Sequence, residues 1–128
     1  MIVDSSALLA VIQGEPEGGA CSEKLAAEQC QISAANWVEA GVVVDNRSIA
    51  TQRDFDELMI LAEIAIEPVT AEHARIARDA YRRYGRGSGH PARLNYGDCF
   101  AYALAVSSGE PLLFVGDDFG ETDVRSAL

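Results

Sequence analysis

Short apolar runs alternate with longer stretches of helical periodicity along the whole chain. Four of the short runs are predicted to be strands, at residues 2–3, 31–33, 64–69 and 112–115. The intervening segments predict helices at residues 7–12, 17–28, 34–46, 51–63, 71–84 and 96–108. Because strands alternate with helices, we expect a central parallel sheet with helices on both faces, which is a three-layer α/β/α fold.

Polar residues that can accept hydrogen bonds from free helix N–H groups precede several of these helices. Ser5 or Ser6 is expected to cap the first helix, and Thr70 the fifth. Asn95 is expected to cap the sixth, which places Asp98 at its third position. From there the carboxylate can reach back to the N–H of Asn95 and lies at the positive end of the helix dipole.

Acidic residues directly follow two of the predicted strands. Asp4 ends the first apolar run, and Asp117 and Asp118 come after the fourth. In open parallel sheets, ligands bind beyond the carboxyl ends of the strands, so we expect these carboxylates at the ligand-binding edge. Taken singly, Asp4 could be a simple helix cap, and Asp117 and Asp118 could be solvated turn residues.

Two further acids lie within predicted helices that are rich in apolar residues. Glu39 precedes Val42 and Val43 by three and four residues, so the periodicity places its carboxylate on an apolar face. Asp98 begins a helix that is apolar nearly all round. Burying an ionised carboxylate is costly unless a cation or a donor compensates it. Taken singly, Glu39 could extend to the surface and Asp98 could be only a capping residue.

The four acidic positions are expected to lie at one edge of the sheet, where like charges repel unless a cation neutralises them. Oxygen ligands without thiolate or imidazole suit Mg²⁺ or Mn²⁺. Mg²⁺ retains several waters, which leaves positions for a substrate phosphate and for a nucleophilic water. Phosphodiester hydrolysis is the reaction that this set of residues predicts.

Composition and size indicate an ordinary soluble globular domain. The chain has 128 residues, 48% of them hydrophobic and 23% charged, and no apolar run is long enough to span a bilayer. We expect a cytoplasmic protein, since no signal peptide is evident. Cys21, Cys30 and Cys99 have no metal-site spacing and are expected to be buried thiols. With only His73 and His90 present, a mechanism based on a Ser-His or Cys-His pair is disfavoured.

The charge is unevenly distributed. The net charge of −10 disfavours non-specific binding of nucleic acid, yet six of the ten Lys and Arg residues lie between positions 75 and 93. Arginines at helical spacing are usually a solvated helix face. Four of them flank the Gly-rich loop at 85–91 and could instead hold RNA phosphates: Arg82, Arg83, Arg86 and Arg93.

Four segments together resemble the successive motifs of PIN-domain ribonucleases, and more narrowly those of VapC-type toxins. They are IVDSSALL at 2–9, SAANWVEA at 33–40, LNYGDCFAYALA at 94–105 and LLFVGDDF at 112–119. The match runs from end to end, so residues 1–128 are expected to form a single PIN domain. The resemblance implies a Mg²⁺-dependent endoribonuclease, with Mn²⁺ as a substitute, that cleaves tRNA or another structured RNA and inhibits translation.

The resemblance also implies roles and partners. The acids that match Asp4, Glu39 and Asp98 hold the metal and activate water, with Asp117 as the fourth acid and Asp118 as its alternative. Ser6 and Asn95 match positions that support the site by hydrogen bonding. The expected partners are an RNA substrate, a VapB-type antitoxin and a second copy of the chain, in a homodimer or a higher toxin–antitoxin assembly.

Two other functions are open to a chain with these acids. A phosphoryl-accepting domain also places acids at strand ends, but it needs a lysine near the phosphate, and the only lysine, Lys24, lies in the predicted second helix. A non-catalytic PIN-like module would bind only RNA or a protein. Intact acids at every motif position disfavour that module, because without a metal their repulsion is purely a cost.

Overall fold

A four-stranded parallel sheet forms the centre of the protein in the computed structural model, which describes all residues from Met1 to Leu128. The strands are β1 (Ile2–Val3), β2 (Gln31–Ser33), β3 (Ala65–Glu67) and β4 (Leu112–Leu113), in the spatial order β3-β2-β1-β4. Neighbouring strands are parallel in all three pairs. The parallel sheet that the sequence predicted is therefore confirmed.

Six helices surround the sheet. They are α1 (Ser5–Gln13), α2 (Gly18–Ala27), α3 (Ala34–Arg47), α4 (Ile49–Leu61), α5 (Ala71–Tyr84) and α6 (Tyr96–Ser108). A short 3-10 helix at Phe119–Glu121 follows β4. None of the helices is long and apolar enough to cross a membrane.

Alternate side chains of the strands enter two separate hydrophobic cores. Ile2 and Leu112 pack with buried residues of α5 and α6, whereas Val3 and Leu113 pack with buried residues of α1 to α4. Successive strand side chains point to opposite faces, so two-residue strands are enough to join both cores. This arrangement confirms the three-layer α/β/α fold.

Helix α6 is the most deeply buried helix. Seven of its residues are buried, because it packs against α5, α3 and the strands β1, β2 and β4. The expectation that it is apolar nearly all round is confirmed. Its first turn projects from this packed position, which fixes where Asp98 lies. The three cysteines are buried and unpaired, as the sequence predicted.

The ends of several elements differ from the prediction. Helix α1 begins at Ser5 and is capped by Asp4, so the prediction of a Ser5 or Ser6 cap is wrong. Strand β4 ends at Leu113 because its partner β1 ends at Val3, where the chain turns into α1. Strand β3 is limited to three residues because it pairs one-to-one with β2. The Thr70 cap of α5 is confirmed, since the Thr70 side chain accepts from His73 N.

Helix α3 buries a different face from the one that periodicity favoured. Its buried residues are Asn36, Ala40 and Val44. Val42 is 54% exposed, and Val43 is exposed as well. Glu39 therefore does not share a buried apolar face with them. It lies at the edge of the buried face, half-buried, on the side that meets α6.

Candidate active site

The carboxyl ends of β1 and β4, the second turn of α3 and the first turn of α6 bring the predicted acids to one edge of the sheet. Burial, together with the charges of Asp4, Asp118 and Glu39, raises the pKa of Asp98 to about 7. Four segments that are far apart in sequence therefore place carboxylates within electrostatic reach of one another. Three of them are Asp4, Glu39 and Asp98, as predicted, and the other is Asp118, which was predicted as the alternative to Asp117.

Asp4 is almost completely buried, with 3% of its surface exposed. Its Oδ2 accepts hydrogen bonds from Ser6 N (3.0 Å) and Ser6 Oγ (2.6 Å). Its Oδ1 is buried and has no hydrogen-bond partner in the protein. Burial raises the pKa of Asp4 to about 6 against the effect of the Ser6 hydrogen bonds, and the charge of Glu39 adds to the rise. A buried carboxylate oxygen without a donor in the protein is available to a cation or to water.

Ser6 connects the two strands that end at the site. Its Oγ donates to Asp4 Oδ2 and accepts from Val115 N at 3.0 Å. The hydroxyl therefore orients the Asp4 carboxylate and also anchors the chain just after β4. Ser6 was predicted to support the site by hydrogen bonding, and this geometry gives it that position.

Asp98 is held by its own helix. Asn95 Oδ1 accepts from Asp98 N and Asp98 Oδ2 accepts from Asn95 N, both at 2.8 Å, which is the predicted capping box. Asp98 is 9% exposed. The Asn95 hydrogen bond stabilises the charged form, but it is outweighed by burial. The box uses Oδ2 and leaves Oδ1 for another partner.

Glu39 is fixed by residues that the sequence analysis did not single out. Its Oε1 accepts from Ser5 Oγ at 2.5 Å and from Asn36 Nδ2 at 3.4 Å. Its Oε2 lies against Gly97, where a Cβ atom would be only 1.9 Å away. Glycine is therefore required at position 97 for this placement of the Glu39 carboxylate.

Asn36 joins α3 to α6 beneath the site. It is fully buried, and its Nδ2 also donates to Gly97 O at 2.9 Å. Its Oδ1 is buried without a partner. The spacing of three residues between Asn36 and Glu39 is a signal that could have identified this contact, since such residues are neighbours on a helix. The Gly97 and Ser5 contacts have no comparable local signal.

The fourth acid changes from the first prediction. Asp117 and Asp118 are both exposed and follow Gly116, which has a φ of +106°. The charge of Asp118 contributes to the raised pKa of Asp98. This electrostatic effect favours Asp118, the predicted alternative to Asp117, as the fourth acid.

The acids do not form a complete cage for a metal ion. No group of three or more His, Cys, Asp or Glu side chains is placed to hold one. The four carboxylates therefore lie less close together than the sequence predicted. Such a site still suits Mg²⁺, which is usually held by one or two carboxylates together with water and substrate oxygens. The unpartnered Oδ1 of Asp4 and the free Oδ1 of Asp98 fit that requirement.

The adjacent cysteine does not change the type of ion that the site suits. Cys99 follows Asp98, and its Sγ donates to Asn95 O at 3.4 Å. Burial raises the pKa of Cys99 to about 11, and the charge of Asp98 adds to this shift. The group is therefore a thiol at neutral pH, whereas metal binding by sulfur requires a thiolate. Oxygen ligands remain the available ones.

The four predicted RNA-binding arginines are all exposed, two at the end of α5 and two in the loop between α5 and α6. Arg86 N donates to Leu94 O, which closes the loop between α5 and α6 and brings Arg86 near Arg93. Arg83 stacks over Tyr84 at 4.7 Å and donates to its hydroxyl at 2.7 Å. Arg82 contacts Asp79 at 3.5 Å, an exposed pair that contributes little.

The raised pKa values predict how pH affects stability of the metal-free protein. Each carboxyl contributes stability below its ordinary pKa of 3.8 and loses it as the pH rises through about 6 for Asp4 and about 7 for Asp98. We expect the free energy of unfolding in EDTA to fall by roughly 2 kcal/mol more in wild type than in Asp98→Asn between about pH 5 and pH 8. Urea titrations at each pH measure the free energy of unfolding of both proteins. The Asn variant keeps an acceptor for Asn95 N, and an identical fall in both proteins would contradict the prediction.

A family model described as PIN domain matches residues 1–125. Ribonuclease VapC28 of Mycobacterium tuberculosis is 50% identical over 130 residues, covering 100% of this chain and 98% of that protein. Ribonuclease VapC42 of the same species is 48% identical over 129 residues, with 99% and 98% covered. Ribonuclease VapC of Mycolicibacterium smegmatis is 43% identical over 128 residues, with 98% of each covered.

The fold also matches a solved structure. The crystal structure of Mycobacterium tuberculosis VapC20, described as a sarcin-ricin loop cleaving toxin, superposes with a TM-score of 0.75. The match covers 98% of this chain and 97% of that one at 17% identity, so it supports the fold alone. The family model and the full-length relatives show that the chain belongs to the PIN-domain family and, within it, to the VapC ribonucleases.

Proposed function

We propose that this protein is a metal-dependent endoribonuclease toxin that hydrolyses phosphodiester bonds in RNA and so inhibits translation. One observation supports this most strongly: Asp4 and Asp98 are buried carboxylates, and neither they nor Glu39 takes part in any of the ion pairs of the chain. Buried acids without a cationic partner destabilise the fold unless an external cation binds. The relatives named ribonucleases support RNA as the substrate.

Mg²⁺, or Mn²⁺ in its place, is the cation that we propose, held by the free oxygens of Asp4 and Asp98. Glu39 and Asp118 lie near enough to contribute charge and to hold water at the same site. When bound, the ion lowers the pKa of a coordinated water and stabilises charge on the phosphoryl oxygens. All of the proposed ligands are oxygens, the type that these ions prefer.

The surrounding residues of the chain hold the acids in place. Ser6 orients Asp4, and Asn95 orients Asp98, so each carboxylate presents one fixed oxygen. Ser5 and Asn36 restrain Glu39 through Oε1, which leaves Oε2 to accept a proton or a hydrogen bond from the attacking water. A base must lie within hydrogen-bond reach of the proton that it accepts, and these contacts supply that restraint.

The substrate that we propose is tRNA or another structured RNA. The exposed arginines at positions 82, 83, 86 and 93 would contact its phosphates beside the acids. Such contacts position an RNA without reading its sequence. They also offset locally the repulsion between a polyanion and a chain with a net charge of −10.

The partners that we propose are a VapB-type antitoxin and a second copy of the chain. The names of the relatives place this chain among VapC proteins, which supports an antitoxin partner. Several large apolar side chains of α3 and α4 are exposed, including Val38, Val42 and Ile49. Contiguous exposed apolar surface is typical of protein interfaces, so this surface is available to either partner.

Replacing Asp98 tests the catalytic assignment. With Mg²⁺ or Mn²⁺, we expect purified wild type to cleave RNA and Asp98→Asn to cleave it roughly 10²–10⁴-fold more slowly, because a carboxylate at the reacting centre is lost. Gel analysis of RNA fragments over time gives both rates. Equal rates in the two proteins would contradict the assignment. RNA binding by wild type without cleavage would favour the non-catalytic module.

The fourth acid is tested by a matched pair of substitutions. We expect Asp118→Asn to weaken Mn²⁺ binding and slow cleavage about tenfold, since charges that support a metal site typically contribute 10–100-fold. Asp117→Asn should change both by less than about twofold. Calorimetric titration with Mn²⁺ and cleavage assays measure the two effects. The opposite ranking would restore Asp117 as the fourth acid.

Gly97 provides a steric test of the Glu39 position. In Gly97→Ala the new Cβ atom would collide with Glu39 Oε2, so we expect cleavage to fall at least about 100-fold, as for a displaced catalytic group. Gly41→Ala is the control, because Gly41 lies in α3 with open space around its Cβ position. That variant should keep its activity and gain helix stability. Full activity of Gly97→Ala would refute the role of this contact.

A further inference from the structure

An apolar groove lies between α5 and the first two turns of α6. It has a volume of about 370 Å³, which is within the range of pockets that hold small organic groups. Its aromatic lining comes from Tyr81, Tyr96 and Phe100, and two arginines, Arg78 and Arg82, complete its wall. None of the hydrogen bonds that hold the acids involves these residues, so the groove is a separate feature.

The groove presents an aromatic surface to solvent. Tyr96 is 76% exposed, a large fraction for an aromatic residue in the first turn of a buried helix. It packs edge-on against Phe100, with ring centroids 5.0 Å apart and an interplanar angle of 75°. Phe100 thus supports the Tyr96 ring, while one face of that ring remains available for a flat ligand.

Cations border this aromatic surface. Arg78 and Arg82 are exposed on α5, and Arg78 takes part in no ion pair. Arg82 has only the exposed contact with Asp79. Aromatic rings for base stacking together with cations for phosphates form the usual combination at sites for single-stranded nucleic acid. In a chain with a net charge of −10, such a cluster is complementary to a polyanion.

The position of the groove relates it to the acids. Tyr96, Gly97 and Asp98 are consecutive in the first turn of α6. Residues at successive helix positions point about 100° apart, so Tyr96 faces α5 while Gly97 faces Glu39 on α3. Asp98 is about 3 Å further along the helix axis than Tyr96. Tyr96 and Asp98 therefore point to different sides of α6 but lie in the same turn, so the groove and the acids flank the N-terminal end of this helix.

We propose that this groove binds one unpaired base of the RNA, at the same end of α6 as the phosphate that is cleaved. The base stacks on Tyr96, and Arg78 and Arg82 contact neighbouring phosphates. This inference rests on the proposed function and makes it more specific. A base in a duplex is already stacked and paired, so the site selects loops and single-stranded segments.

Binding of a short single-stranded RNA in EDTA tests the groove without cleavage. The probe is an octanucleotide with one 2-aminopurine, whose fluorescence falls when the base stacks. We expect fluorescence quenching with wild type and with Tyr96→Phe, and about tenfold weaker binding with Tyr96→Ala, as for loss of one stacked base. Val106→Ala, at the other end of α6, is the matched control and should bind normally. A duplex of the same sequence should compete poorly.

Cleavage assays with Mg²⁺ and sedimentation of each variant separate the possible outcomes. Tyr96→Ala should raise KM more than it lowers kcat and should leave the oligomeric state unchanged. Equal RNA binding by wild type and Tyr96→Ala would overturn the groove assignment. Cleavage by wild type would still uphold the proposed function in that case. Tyr96-dependent quenching without any cleavage by wild type would uphold the groove assignment and overturn the proposed function. Altered subunit assembly in Tyr96→Ala would assign the groove to a contact between protein chains and overturn the proposal.

Discussion

Burial of carboxylates that have no cationic partner is the constraint on which the site depends. Asp4 and Asp98 are removed from water, which raises the pKa of both, and a neighbouring charge adds to each rise, Glu39 for Asp4 and Asp4 for Asp98. The fold compensates only partly, with hydrogen bonds from Ser6 and Asn95 to one oxygen of each group. In the function that we propose, an external cation offsets the remaining charge. The protein would thus give up stability in the metal-free state to keep a preorganised site for a hard ion.

The architecture explains how acids so distant in sequence come together. Parallel strands all end at the same edge, which places Asp4 after β1 and Asp118 just beyond β4. Helix α6 adds Asp98 because its apolar body is packed on three sides and only its first turn reaches the site. The absence of a side chain at Gly97 then allows α3 to bring Glu39 close. Core packing and site geometry therefore depend on the same helix.

Charge is separated over a short distance around the start of α6. The acids form a negative centre that repels phosphate, while the arginines at the end of α5 and in the following loop form a positive border. RNA would approach this border first and reach the acids only when a cation neutralises them. In the proposed function, attraction at the border and repulsion at the centre would together make productive RNA binding depend on the metal.

Local signals were sufficient for much of this structure. The order of strands and helices, the position of Asp4 and the capping box of Asn95 and Asp98 depend on residues close in sequence, so pattern and spacing predicted them. The end of β4, the environment of Glu39 and the choice of Asp118 depend on contacts with distant elements. Periodicity placed Glu39 with Val42, whereas its neighbours are Ser5 and Gly97. A sequence specifies which residues can bind an ion, but only packing between helices sets which of them face it, because burial and repulsion act through space.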